Sequence, residues 1–268
     1  MPGNVSSQFI TGLLLALPLL KADSEIVVTS SLESKSYIDM TLSAMYRFGV
    51  TAIETENGYK VYGNQSYKPQ HLNIEGDWSQ AAFFLAAGAL GGNVSIENLD
   101  TASYQGDKAI YQLLRQFGAD ITINGQVLSC KHNKLNGIEI DAENIPDLVP
   151  ILAVVAALAE GTTTITGAAR LRIKESDRLH AITEGLNKLG ADITELPDGL
   201  RINGVKSLNG GAVQGYNDHR IVMALSVAAT RATEPVIITD AESINKSYPS
   251  FFEDYNNLGG KANVINMG

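Results

Sequence analysis

The sequence predicts an α/β fold that is built from a repeated unit, with buried helices inside and sheets outside. The first observation is a helix-ending glycine that returns along the chain, at Gly49, Gly118, Gly190 and Gly259. The second is a short β-branched run and an amphipathic segment ahead of each of these glycines. The third is a set of alanine-rich segments between the units. The period is about 70 residues, longer than the roughly 20–50 of most solenoid repeats, which are the alternative architecture.

Each unit is predicted to run helix, strand, helix, strand, strand. The first strands are the β-branched runs that begin at Ile26, Val94, Thr163 and Val236. Amphipathic helices follow at 37–48 and 176–189, and glycine just past such a helix is the usual left-handed cap. The dipeptides Asn57-Gly58 and Asp198-Gly199 are typical of the turn between two paired strands.

Three alanine-rich segments, 79–90, 146–159 and 219–230, are apolar nearly all round. Helices of this kind are buried in soluble proteins, so sheets must cover them. The apolar run 9–20 is shorter than a membrane span and contains Pro18. No basic residue precedes it, as one would in a signal peptide, so it is also interpreted as a buried helix.

Charge and cysteine content exclude several classes of function. The chain has 268 residues and a net charge of −9, without a run rich in Lys or Arg, so nonspecific nucleic-acid binding is not expected. Cys130 is the single cysteine, and no His/Cys cluster suggests a metal site. A reducing compartment, the cytoplasm, is the expected location, with neither nucleic acid nor membrane as a partner.

The loop at 169–178 concentrates cations against this acidic background: Arg170, Arg172, Lys174 and Arg178, with Glu175 and Asp177 among them. Ser176 or Asp177 can cap the helix that follows, and a helix start attracts anions. The sequence therefore predicts an anion site here. The alternative is a solvated helix start with internal ion pairs.

Other helix starts carry polar residues of the same kind. Arg220 lies in the first turn after Asn217-Asp218, where the helix dipole disfavours a cation unless an anion is near. Pairing of Arg220 with Asp218 is the alternative explanation. Further candidates are Ser6, Ser7, Gln8, Asp147 and Lys246, for which capping or simple solvation would also account. Because all of them fall at helix starts of successive units, we expect them to line one pocket for anionic substrates.

Two motifs in this set resemble a known family. Arg172-Ile-Lys-Glu-Ser-Asp-Arg178 and Tyr216-Asn-Asp-His-Arg220 are similar to the two signatures of EPSP synthases. Ser6-Ser-Gln8, Ser34-Lys-Ser-Tyr37, Asp147 and Lys246-Ser-Tyr-Pro fall where that family has its remaining motifs. The resemblance implies an inside-out α/β barrel of βαββαβ units. It also implies that residues 1–75 finish the family's N-terminal domain and 76–268 form its C-terminal enolpyruvyl transferase domain.

The resemblance further implies a reaction. The family transfers the enolpyruvyl group of phosphoenolpyruvate to the 5-hydroxyl of shikimate 3-phosphate and releases phosphate, with no metal or organic cofactor. Asp147, Glu175 and Lys174 would be catalytic. The residues expected to bind shikimate 3-phosphate are Ser6, Ser7, Gln8, Ser34, Tyr37, Asp147, Arg170 and Lys174. Those expected to bind phosphoenolpyruvate are Gln8, Arg178, Arg220 and Lys246.

Three family motifs, an early Lys, an Asn-Ala-Gly-Thr loop and an Arg-Pro pair, are absent from this sequence and would lie upstream of Met1. We therefore expect a missing N-terminal segment as a partner and little activity from the chain alone. One alternative is an inactive scaffold or weak anion-binding fragment. Another is a UDP-N-acetylglucosamine enolpyruvyl transferase, a family with the same architecture that resembles these motifs poorly.

Overall fold

A computed structural model describes residues 1–265, and the chain divides into two compact units. The first unit comprises Met1–Glu75 together with Ala102–Gly106, and the second comprises Gly76–Thr101 and the chain from Asp107 onward. Each unit has its own hydrophobic core. Within residues 1–265, no helix is long and apolar enough to cross a membrane.

The first unit packs two helices on one small sheet. Its elements are α1 (Ser7–Ala16), β1 (Ser24–Val27), α2 (Lys35–Arg47), β2 (Ala52–Thr55) and β3 (Gly58–Val61). The strands form an antiparallel sheet in the order β1-β3-β2. The hairpin between β2 and β3 turns at Asn57-Gly58, as the dipeptide predicted.

The apolar run 9–20 does not form the buried helix that was predicted. The α-helix ends at Ala16 and a 3₁₀ turn follows at Leu17–Leu19, because Pro18 cannot continue an α-helix. Only one face of α1 packs in the core, through Ile10 and Leu14, while Phe9 on another face is 58% exposed. An apolar stripe on one side of the helix is thus buried, and the prediction that the run 9–20 forms a buried helix was wrong for its other faces and for residues 17–20.

The second unit contains the remaining helices and strands. They are α3 (Trp78–Leu90), β4 (Asn93–Ile96), α4 (Ala109–Phe117), β5 (Asp120–Asn124), β6 (Val127–Lys131), β7 (Glu139–Asp141), α5 (Val149–Ala157), β8 (Thr162–Thr166), α6 (Arg178–Lys188), β9 (Asp192–Leu196), β10 (Gly199–Asn203), β11 (Gly211–Val213), α7 (His219–Ala229), β12 (Val236–Ile238) and α8 (Phe251–Asn257).

The described part of this unit contains three sheets, in the orders β4-β6-β5, β7-β8-β10-β9 and β11-β12. Helix α5 connects the parallel strands β7 and β8, and α7 connects the parallel strands β11 and β12. A complete copy of the repeated unit contains, in chain order, β7, α5, β8, α6, β9 and β10. The sequence pattern predicted two strands after each helix-ending glycine; the structure adds a third short strand, β7 or β11, before the next helix.

The alanine-rich helices form the centre of the second unit. Every residue of α5 is buried, and α3 and α7 are buried over nearly their whole length. The three helices pack against one another. Strands such as β6 and β8 alternate buried residues with half-buried or exposed ones, so one face of each sheet is turned to solvent. This arrangement confirms the predicted fold of inner helices and outer sheets.

The repeated glycines end their helices as predicted. Gly49, Gly118, Gly190 and Gly259 all have positive φ, between 81° and 115°. At Gly118 a Cβ atom would also come within 2.3 Å of the Lys134 carbonyl oxygen. Neither the backbone conformation nor the space at this cap accommodates another residue without strain.

Candidate active site

Arg178 is the centre of a cluster of carboxylates in the second unit. It is the first residue of α6, and its side chain is only 1% exposed. Its Nε atom donates to Asp218 Oδ2 at 2.8 Å, Nη1 to Asp147 Oδ1 at 2.8 Å, and Nη2 to Glu175 Oε2 at 2.6 Å. Nη2 also lies 3.3 Å from Asp218 Oδ1. One guanidinium therefore joins carboxylates from three different segments.

The local sequence explains why these groups meet. Asp177 caps α6 by accepting a hydrogen bond from the His180 amide at 3.1 Å, which places Arg178 in the first turn. Asp218 caps α7 in the same way, since its Oδ1 accepts from the Arg220 amide at 2.9 Å. Asp147 lies in the 3₁₀ turn Pro146–Leu148 that leads into α5. The cluster is thus the meeting point of the starts of α5, α6 and α7.

Arg220 extends the cluster toward the start of α3. Its Nη2 lies 3.2 Å from Asp147 Oδ2 and donates to Ser79 Oγ at 3.1 Å. A guanidinium in the first turn of α7 is opposed by the helix dipole, and the Asp147 carboxylate offsets that effect. The alternative that paired the Arg220 side chain with Asp218 was wrong, because Asp218 bonds the Arg220 backbone amide and the side chain of Arg178.

The cations around Asp147 keep it ionised. Burial alone would raise the pKa of Asp147, but Arg220 and Arg178, and more weakly Lys174, lower it below the usual value. Burial likewise works against the charge of Asp218, and the hydrogen bond from Arg178 outweighs it and lowers the pKa. Both carboxylates are therefore ionised at neutral pH.

Glu175 and Lys174 complete the site from the loop before α6. The Glu175 side chain is 40% exposed, far more than Asp218 at 0%, although it contacts the same guanidinium. Lys174 is exposed, and its charge acts on Asp147 as described above. Because these two side chains reach both solvent and the buried ion pairs, they are the members of the cluster most accessible to a ligand.

Lys246 approaches the cluster through a strained loop. Its Nζ donates to the carbonyl oxygen of Asn217, the residue before Asp218. Tyr216 and Asn217 have positive φ values of 56° and 49°, a conformation that asparagine tolerates but that is unfavourable for tyrosine. Strain of this kind is concentrated at functional sites in proteins. Lys246 is thus bound to the residue that precedes Asp218, and Asp218 in turn accepts hydrogen bonds from Arg178.

Two other cations of the loop 169–178 contact residues outside the carboxylate cluster. Arg170 Nη2 donates to the Glu143 carbonyl oxygen at 3.0 Å, and Arg172 is bound to the end of β9. The sequence predicted one anion site from all four cations. In the structure Lys174 and Arg178 belong to the carboxylate cluster, whereas Arg172 is bound to the hairpin of β9 and β10.

Three neighbours of the cluster were not among the predicted site residues. Ser176 Oγ donates to Asp218 Oδ2 at 3.0 Å, and Ser79 contacts Arg220. His219 is 6% exposed; burial, together with Arg220, lowers the pKa of its imidazole and keeps it neutral. Its Nδ1 is buried without a hydrogen-bond partner among the described residues. The His next to Arg220 in the second motif was a signal that could have identified it.

The remaining predicted residues lie in the first unit. Ser6 caps α1, where its Oγ accepts from the Gln8 amide at 3.3 Å, and Ser7 is buried. Ser34, at the start of α2, is 4% exposed with φ of 53°, and its carbonyl oxygen accepts from the Tyr37 amide at 3.1 Å.

The two helix starts of the first unit are neighbours. The Glu33 amide donates to the Gly3 carbonyl oxygen at 3.2 Å just ahead of α2 and α1, and the hydroxyls of Thr11 and Thr41 lie 2.9 Å apart further along the helices. Helices α1 and α2 therefore start at the same end of the unit. This brings Ser6, Ser7, Gln8, Ser34 and Tyr37 to one end of a helix pair.

The chemistry available in the second unit is anion binding with proton transfer. Arginine forks bind carboxylate and phosphate groups in a bidentate way, and an ionised carboxylate beside them can accept a proton. Within residues 1–265, no group of three or more His, Cys, Asp and Glu side chains is placed to hold a metal ion.

Comparison with known proteins points to one family. A family model described as EPSP synthase (3-phosphoshikimate 1-carboxyvinyltransferase) matches residues 1–255. The 3-phosphoshikimate 1-carboxyvinyltransferase of Clostridium perfringens (strain SM101 / Type A) is 54% identical over 262 residues, covering 96% of this chain and 61% of that protein. The protein of the same name from Clostridioides difficile (strain 630) is 50% identical, covering 99% of this chain and 61% of its own length.

Solved structures agree with these relatives. A structure of EPSP synthase from Acinetobacter baumannii superposes with a TM-score of 0.84 at 30% sequence identity, covering 97% of this chain and 62% of that one. The chain described here thus spans about three fifths of the length of the curated relatives that it matches. From the family model, the identities and the shared fold, the chain belongs to the EPSP synthase (3-phosphoshikimate 1-carboxyvinyltransferase) family.

Proposed function

We propose that this chain carries out its part of enolpyruvyl transfer from phosphoenolpyruvate to the 5-hydroxyl of shikimate 3-phosphate, giving EPSP and phosphate. The observation that carries the proposal is the placement of Asp147 between the guanidinium groups of Arg178 and Arg220. This reaction needs a carboxylate that can accept a proton and guanidinium groups that can bind the anionic substrates.

Phosphoenolpyruvate binding is assigned to Arg178, Arg220 and Lys246, with Gln8 as the fourth residue. Arg178 donates to three carboxylates and its side chain is only 1% exposed, so an incoming carboxylate or phosphate is expected to replace one of them. Asp218 also accepts hydrogen bonds from the Arg220 amide and the Ser176 hydroxyl, whereas Glu175 is partly exposed. The substrate anion is therefore expected to displace Glu175, which frees that carboxyl group for proton transfer.

Both the addition step and the elimination step of this reaction need two proton transfers. As the 5-hydroxyl oxygen bonds to the central enol carbon, Asp147 takes the hydroxyl proton and Glu175 delivers a proton to the methylene carbon. The tetrahedral adduct then loses phosphate, which takes up the proton that Asp147 holds, and Glu175 takes back one methyl proton. Lys174 and the two arginines lower the energy of the developing phosphate charge.

Recognition of shikimate 3-phosphate is assigned to the first unit in part. Ser6, Ser7 and Ser34 supply hydroxyl groups at two adjacent helix starts, an arrangement that suits a phosphate group. Gln8 and Tyr37 would contact the ring. In the second unit, Lys174 is assigned to the same substrate, and Arg170 is the weakest candidate, because its guanidinium donates to the Glu143 carbonyl oxygen.

The domain assignment follows the same proposal. Residues 1–75 are the last part of the family's N-terminal domain, and the chain from residue 76 is its C-terminal enolpyruvyl transferase domain. The division of the chain between Glu75 and Gly76 supports this boundary, although Ala102–Gly106 packs with the first unit.

A chimera tests the proposed function. This chain replaces the matching three fifths of the Clostridium perfringens relative, and released phosphate is measured with phosphoenolpyruvate and shikimate 3-phosphate. Turnover that disappears in Asp147→Asn but persists in Glu139→Gln, an exposed carboxylate on β7, supports the proposal. A chimera that folds and releases no phosphate contradicts it, and turnover with UDP-N-acetylglucosamine instead of shikimate 3-phosphate would assign the sister activity. The chain without the added segment is assayed beside it.

A further inference from the structure

Arg172 belongs to the site loop, but its side chain is bound to the hairpin of β9 and β10. Nε donates to the Pro197 carbonyl oxygen at 2.9 Å and Nη2 to the Leu196 carbonyl oxygen at 2.6 Å. Nη1 donates to Glu195 Oε1 at 2.6 Å and to Asp177 Oδ2 at 3.0 Å. The guanidinium thus joins the end of β9 to the residue that caps α6.

This set of partners requires the shape of an arginine. Two successive carbonyl oxygens and two carboxylates surround the planar group, and all three of its nitrogens take part. The ammonium of a lysine is a single point of charge on a flexible chain, and it cannot reproduce such a planar set of bonds. The partners are half-buried rather than fully solvated, so salt screens these bonds less than it screens surface pairs.

The segment that follows Arg172 carries the accessible site residues. Residues 174–176 belong to no helix or strand, so the path of this segment depends on what holds its two ends. Arg172 holds the first end, and Asp177 holds the second both as cap of α6 and as partner of Arg172. Lys174 and Glu175 lie between these anchors.

We propose that Arg172 is a positioning residue, which fixes the path of residues 173–177 and thereby directs Lys174 and Glu175 toward the substrates. The inference rests on the function proposed above. Arg172 touches neither the Asp147 carboxylate nor any other group assigned to proton transfer; it acts through the loop alone. Loss of Arg172 removes none of the other charged side chains of the loop, but it lets residues 173–177 take many conformations.

The first measurement does not depend on activity. Trypsin cuts after Lys174 only when the loop opens, and the fragments are identified by mass. In Arg172→Gln the cleavage rate is expected to rise about tenfold or more, the change produced by losing one charge-assisted hydrogen bond. The matched control is Arg201→Gln, which removes an exposed arginine from the adjacent strand β10.

The second measurement is kinetic and uses the chimera described above. We expect Arg172→Gln to lower kcat/KM for shikimate 3-phosphate by about tenfold or more, by the same loss of bonds, and Arg201→Gln to match the wild type. Guanidinium ion at millimolar concentration is expected to restore part of the activity of Arg172→Ala. A side chain that only packed against the hairpin would not respond to that ion.

The results separate the two proposals. A wild-type chimera without turnover contradicts the proposed function, whatever trypsin shows. If the wild type is active and Arg172→Gln resembles Arg201→Gln in both measurements, the positioning role is wrong. Faster cleavage with unchanged kcat/KM also overturns it, because the loop would then be tethered without any effect on the substrates.

Discussion

Arg178 and Asp218 form a two-point ion pair that joins the first turn of α6 to the cap of α7, with side chains 1% and 0% exposed. Asp218 therefore serves two purposes, as it caps one helix and neutralises a buried cation of another. The stability of the helix starts and the charge of the site depend on the same carboxylate.

Asp218→Asn separates these two purposes, because asparagine caps helices as well as aspartate does but carries no charge. Breaking a buried ion pair leaves a cation uncompensated, and we expect a loss of about 3–5 kcal/mol in the free energy of unfolding. Urea denaturation measures it. Asp77→Asn is the matched control, since Asp77 caps α3 through the Ser79 amide. Equal losses in the two variants would mean that the ion pair contributes nothing.

Asp147→Asn tests the assignment of the proton acceptor. Arg220 and Arg178 keep Asp147 ionised, and the amide cannot take a proton from a hydroxyl group. In the chimera we expect kcat to fall by about 10²–10⁴, the usual contribution of a general base. Steady-state phosphate release measures kcat. A variant that kept kcat and raised only KM would show that Asp147 binds substrate without accepting its proton.

His219 gives stability a pH dependence near neutrality. Burial and Arg220 lower the pKa of His219 in the folded protein, so the unfolded chain binds a proton more readily. This contribution is complete above the unfolded pKa of about 6.5 and is lost as pH falls through the lower folded value. Urea denaturation between neutral and mildly acidic pH should therefore show stability decreasing with acidification. His219→Gln removes this slope, whereas His71→Gln, at an exposed position, retains it.

Asp147 and Asp218 add a second, more acidic window. Net interactions lower the pKa of both carboxyl groups in the folded protein. Their contribution is present above the unfolded pKa of about 3.9 and is lost as pH falls through the lower folded values. Acid titration of the wild type should show this loss, and Asp218→Asn should show a smaller one. An identical acid transition in both proteins would contradict the assignment.

Gly118→Ala tests the repeated cap. A residue with a side chain in the left-handed conformation costs about 1–2 kcal/mol, and here the Cβ would also meet the Lys134 carbonyl oxygen. We expect a loss of at least that size in the free energy of unfolding, measured in urea. Gly12→Ala is the control: Gly12 lies within α1 with no atom near its would-be Cβ, and the same change should stabilise the protein by about 0.5–1 kcal/mol.

Local sequence pattern was sufficient for most of the elements. The spacing of apolar residues and the capping glycines predicted α6 and α7 to within a few residues, because both signals act within one or two helical turns. Strands β7 and β11 were missed. Each has three residues and is defined by pairing with a strand beyond the following helix, so its own residues carry little signal.

The site was predicted as a set of residue types and not as a set of pairs. Arg172 and Arg178 are equivalent cations of one loop in the sequence, yet the first is bound to a hairpin and the second to three carboxylates. The sequence suggested Asp218, two residues away, as the partner of the Arg220 side chain. That side chain instead meets Asp147, 73 residues away.

The sequence by itself determined the repeat, its glycine caps, the buried central helices and the motifs that mark the family, because each depends on residues close together in the chain. The tertiary structure decided which charges meet. Coulomb energies depend on distance and burial, and these are set where the starts of α5, α6 and α7 come together. At this meeting point Arg178 is buried and pairs with three carboxylates, and Asp147 is an ionised group between two arginines.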